Sequence, residues 1–61
     1  MKVRTLFKVL CTNCTSIEFI DKNGSRSRNV AWIPLDWRVV KMLVSLDGDL
    51  IIYVDGDFET L

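Results

Sequence analysis

The chain has 61 residues, 49% of them hydrophobic, with eight Lys and Arg balanced by eight Asp and Glu and with no histidine. That length allows one domain at most, and such a domain buries only about 60% of the surface its unfolded chain exposes. Zero net charge excludes a global field that would steer nucleic acid or an anionic membrane. The missing histidine removes Ser-His and Cys-His nucleophile pairs and the commonest general base near neutral pH, so neither an enzyme nor a cofactor is expected.

The charge is uneven along the chain. Residues 1–41 hold every Lys and Arg beside only Glu18, Asp21 and Asp36, whereas residues 42–61 hold Asp47, Asp49, Asp55, Asp57 and Glu59 with no base. The plain interpretation is solvated turns and an acidic end. A sharper one is an acidic surface that occupies a basic site on a partner. The start resembles a signal peptide only superficially, because Lys8 interrupts its apolar run and no small-residue cleavage site follows. Nothing reaches the roughly 20 apolar residues of a membrane span. Two cysteines do not make a disulfide framework. A cytoplasmic protein is expected.

Val3, Leu6, Phe7 and Leu10 recur at helical spacing, which predicts a short amphipathic helix over 3–11. Residues 15–21 alternate apolar and polar side chains and predict a strand. Asn23-Gly24 then predicts a two-residue type I′ turn into a second strand, 26–33, ended by Pro34. That turn would set Asp21 opposite Arg26, Phe19 opposite Arg28 and Ile17 opposite Val30. Ile17, Phe19, Val30 and Trp32 would share one face.

Residues 39–46 and 49–55 predict a second hairpin around Asp47-Gly48. The same turn geometry would set Val44 opposite Ile51, Met42 opposite Tyr53, Leu43 opposite Ile52 and Lys41 opposite Val54. Both faces of this hairpin are then apolar, and one short helix cannot cover both. A second subunit is the simplest cover, so a homodimer is expected. Residues 56–61 are expected to form a tail, with Phe58 to Leu61 frayed or ordered by a partner. The fold class that follows is α+β, a helix followed by two antiparallel hairpins in one small sheet.

Met1-Lys2-Val3, Thr15 to Asp21, Asn23-Gly24, Val30, Ile33-Pro34-Leu35 and Asp47-Gly48-Asp49-Leu50-Ile51-Ile52 together form a pattern. It resembles small uncharacterised phage- and prophage-encoded proteins of Firmicutes. The resemblance covers nearly the whole chain but is one of hydrophobic and turn pattern. It implies a mobile-element origin and, from the kinds of short protein phages encode, an inhibitor of a host defence protein. Cys11, Trp32 and Trp37 are no part of it.

The remaining constellations are sparse. Cys11-Thr12-Asn13-Cys14 is a CxxC placed where a helix ends, the wrong end for thiolate activation. It supplies two of four zinc ligands, so a metal site would need two chains; the plainer alternative is packing and turn residues. Asp-Gly-Asp at 47–49 and 55–57 lacks calcium-loop spacing and fits turn chemistry. Arg26 and Arg28 with Trp32 offer a stacking and phosphate-binding set for a nucleic-acid accessory protein, against an inward Trp32 and arginines that solvate an edge. Trp37 with Arg38 has the composition of a binding hot spot, against a Trp that closes the end of the core. The leading expectation is a non-catalytic protein–protein interaction module that contacts its partner through Leu43, Ile52, Val54, Trp37 and Arg38.

Overall fold

The computed structural model describes residues 1–9, 16–28 and 32–61. They form one helix, α1 (Val3–Val9), and four strands, β1 (Ile17–Ile20), β2 (Arg26–Ser27), β3 (Val39–Val44) and β4 (Leu50–Val54), closed by a 3-10 turn at Phe58–Thr60. The fold class is α+β.

The strands form a single sheet in the order β2-β1-β4-β3. Both expected hairpins are present, as β1 with β2 and β3 with β4, each antiparallel. Their junction differs from an all-antiparallel sheet: β1 and β4 run parallel, with Phe19 beside Ile52 and Ile20 beside Tyr53. The sheet is therefore mixed. Ile17 to Ile20 and Leu50 to Val54 are the more buried runs and take the middle, which leaves β2 and β3 at the edges.

The pleat sends Phe19, Ile52 and Val54 to one face, where they pack with Val3 and Leu6 of α1 and with Ile33. Phe7 of the helix meets Phe19 edge to face, with ring centroids 6.1 Å apart. The first helical N–H groups have no intrahelical acceptor. Val3 N–H donates to the Trp37 carbonyl at 2.8 Å and Arg4 N–H to the Leu35 carbonyl at 3.0 Å. Thus the loop before β3 finishes the helix.

The hairpin turns correct the expected registers. In each, three residues rather than two bridge the closing pair: Asp21 N–H donates to the Ser25 carbonyl, and Ser45 N–H to the Asp49 carbonyl. Among the described residues only Gly24 and Gly48 take positive φ, both at 87°, whereas a type I′ turn would also need it at Asn23 and Asp47. One positive-φ glycine per turn fits the three-residue loop closed by a glycine bulge. Each extra loop residue shifts every cross-strand partner by one. Phe19 therefore pairs with Ser27, not Arg28, and Ile20, not Asp21, pairs with Arg26. Leu43 pairs with Ile51 and Met42 with Ile52. Lys41 continues this register against Tyr53, and a bulge at Val40 then sets Val39 against Val54.

Among the described residues of the strand predicted over 26–33, Arg26 and Ser27 are paired. Trp32 is 40% exposed and is not among the buried core residues, which removes it from the inward set with Ile17 and Phe19. Val30, Cys11, Cys14 and the end of the predicted helix lie outside the described residues. The tail is anchored rather than frayed. The Asp57 carboxylate accepts from Glu59 N–H and caps the 3-10 turn, and Phe58 packs against the core. Among the described residues no helix is long and apolar enough to cross a membrane.

Candidate protein interface

Strand β3 is the least buried element of the sheet. Val40 is 65% exposed, Met42 43%, Leu43 46% and Val44 73%, and Leu46 in the following turn is fully exposed. The register explains why. Leu43 sits opposite Ile51, on the face that α1 does not cover, while Met42 and Val44 share the helix face but lie beyond the reach of the core cluster. An exposed apolar edge strand is a template for pairing with another chain. Proteins usually blunt such edges with charge, and here Lys41 is the one charged residue of the strand. Its ammonium is folded back over the Tyr53 ring, 4.6 Å from the centroid.

The two edges of the sheet differ. At β2, the paired residues among those described are Arg26 and Ser27. The register slip places Arg26 and Arg28 on the face of Glu18. The carboxylate oxygens of Glu18 lie 3.6 Å from Arg26 Nη1 and 3.5 Å from Arg28 Nε. Arg28 Nη2 reaches Asp49 at 3.9 Å. The expected Asp21–Arg26 pair is replaced by this network. The beginning of β3 is also covered. The Met1 carbonyl accepts from Val39 N–H at 2.7 Å, and Lys2 bridges Arg38.

The residues expected at an interface are dispersed. Ile52 and Val54 are buried, at 0% and 2% exposure, and belong to the core, where no partner reaches them. They lie on the sheet face that α1 covers, and β1 runs parallel beside β4. Trp37 is half-buried and stacks on Phe58, centroids 5.7 Å apart, with Phe58 also against Trp32 at 5.2 Å. It closes the end of the core, away from Leu43. Arg38 is exposed, with its N–H held at 2.9 Å by the Asp55 carboxylate. Leu43 remains, and Val40, Met42 and Val44 join it as the residues that sequence reasoning missed. They were missed because each turn closes over three residues where Asn-Gly and Asp-Gly favour two, which shifts the register by one.

The acidic residues expected to act as a mimic are partly spent inside the fold. Asp49 pairs with Arg28, Asp55 holds the Arg38 N–H and Asp57 caps the 3-10 turn. Asp21 is buried at the junction of β1, the first turn and the tail. Its Oδ1 accepts from the N–H groups of Asn23 at 2.9 Å and Ser25 at 2.8 Å, and its Oδ2 from Phe58 N–H at 3.0 Å. Burial alone would raise its pKa. The backbone donors, Phe58, Ser25 and Asn23 foremost, outweigh burial and hold the carboxyl below the ordinary 3.8.

A groove of about 450 Å³ opens on the sheet face opposite α1, lined by Ile20, Lys22, Val40, Lys41 and Tyr53. Asp21 borders it, but both its oxygens already serve backbone donors. No family model, curated protein or solved structure matches the chain.

Proposed function

We propose that the chain is a non-catalytic protein–protein interaction module whose contact is the outer edge of β3. One observation carries this reading: the sheet ends in a strand whose Met42, Leu43 and Val44 stay exposed while its neighbour β4 is half-buried or buried along its length. Main-chain pairing along such an edge supplies affinity, and the alternating side chains supply specificity. The resemblance to phage-encoded proteins adds the wider role we propose, inhibition of a bacterial host protein in the cytoplasm. The nucleic-acid alternative gains no support, because Arg26 and Arg28 are turned to Glu18 and the net charge is zero.

The test is a photo-crosslinking residue at Val44, with Asp36 as an exposed polar control. In the cells that make the protein, Val44 is expected to yield a protein adduct and Asp36 none. Absence of any adduct from Val44 would overturn the reading.

A further inference from the structure

The β3 edge is complementary to itself, and we propose that its occupant is a second copy of this chain, paired antiparallel so that Leu43 meets the partner's Leu43 on the two-fold axis. This rests on β3 being an interaction edge.

The open part of the edge is short and defined at both ends. The Met1 carbonyl closes it at Val39, the bulge interrupts it at Val40, and the turn begins after Ser45. The bonding pattern of β3 with β4 decides which groups face out. Ser45 N–H points to Asp49, so Leu43 and Lys41, two and four residues earlier, also bond inward. The N–H and C=O groups of Met42 and Val44 therefore face the open edge.

A two-fold axis perpendicular to the sheet brings residues of like parity opposite each other. Three registers fit the open segment. With Lys41 on the axis, two like charges face each other, which is unfavourable. With Met42 on the axis, Val44 must bond to the bulged Val40 of the copy. With Leu43 on the axis, Met42 faces Val44 in both directions, and all the outward groups of those two residues pair. Lys41 then meets Ser45, and the two Lys41 positions lie about 13 Å apart along the strand. The apolar residues of the helix face, Met42 and Val44, meet only each other, and the two leucines meet on the other face. The product is a continuous eight-stranded sheet whose remaining edges are the short, arginine-flanked β2 strands.

Sedimentation at micromolar concentration is expected to give twice the 7.0 kDa chain mass. Amide exchange is expected to show protection of Met42 and Val44 that rises with protein concentration, with Lys41 and Leu43 protected throughout. Val44→Pro removes an outward donor without touching the bonds to β4 and is expected to return the mass to that of one chain with the fold intact. The register is read from single cysteines, with Cys11 and Cys14 replaced by serine. Leu43→Cys is expected to form a disulfide-linked dimer, because non-hydrogen-bonded pairs hold Cα atoms about 4.5 Å apart, within disulfide range. Met42→Cys is expected not to. A single-chain mass for the unaltered protein would overturn self-pairing, as would disulfide formation at Met42→Cys in place of Leu43→Cys. If the Val44 crosslink then joins a different protein, the interaction reading stands and only the second copy is lost. If it joins nothing, both fall.

Discussion

The indole ring of Trp37 fills the space that a side chain at Gly56 would need. A Cβ at that position would overlap the ring itself. The strand end at Val54 and the loop before β3 are thus fitted to each other through one hydrogen, and Phe58 completes the stack. Gly56→Ala is expected to force the indole off Phe58 and destabilise the fold by about 1–3 kcal/mol, the usual range for overpacking. Thermal unfolding together with tryptophan fluorescence checks this. An unchanged Tm and spectrum would show that the loop yields freely.

The turn geometry makes a paired prediction. Gly24 has positive φ with nothing near its Cβ position, so Gly24→Ala meets only backbone strain, expected at about 1–2 kcal/mol. Asn23 is exposed and not in the left-handed region, so Asn23→Ala is expected to stay within about 0.5 kcal/mol. Equal losses in chemical denaturation would favour the two-residue turn.

Asp21 gives the pH dependence a sign. Its carboxyl is held below 3.8 in the folded chain, so the unfolded chain binds its proton more readily. The stability it contributes is complete above 3.8 and is lost as pH falls through the lower folded value. Asp21→Asn places an amide where Asp21 accepts three backbone N–H groups, and it is expected to lower Tm at neutral pH and to flatten the acid limb. An acid limb of unchanged steepness in the variant would assign it to other groups.

Glu18 is the shared acceptor of two arginines whose own side chains are largely exposed. Glu18→Gln is expected to cost about 0.2–1 kcal/mol at low salt, and the difference from the parent should shrink as salt rises. Denaturation midpoints at low and high salt test this, and a salt-independent difference would point to packing of the side chain instead.

Much of the fold was legible in local pattern. The apolar spacing of Val3, Leu6 and Phe7 marks the helix, and the two Gly-containing turns mark the hairpins. What local pattern lacked was the number of loop residues, since Asn-Gly and Asp-Gly favour a two-residue loop while one positive-φ residue suffices for the three-residue form. That single count moved Arg26 and Arg28 to the face of Glu18 and Leu43 off the face of Ile52. The parallel pairing of β1 with β4 was illegible for a different reason. It joins residues far apart in sequence, such as Phe19 and Ile52, and no turn signal records it. The surplus of apolar residues in 39–54 was real, and its exposed part lies on β3, at Val40, Met42, Leu43 and Val44.

The parallel seam has a consequence for how the chain reaches this state. Each hairpin closes locally around its turn, an event of about 1–10 μs in isolated hairpins. The Ile17–Ile20 and Leu50–Val54 seam has to wait for the whole intervening segment to be positioned, so its closure sets the rate. Folding kinetics should then treat the glycine turns as pre-equilibrium elements: Gly48→Ala is expected to slow refolding in stopped-flow traces and leave the unfolding rate nearly unchanged. Acceleration of unfolding with unaltered refolding would show instead that the seam closes first and the second hairpin afterwards.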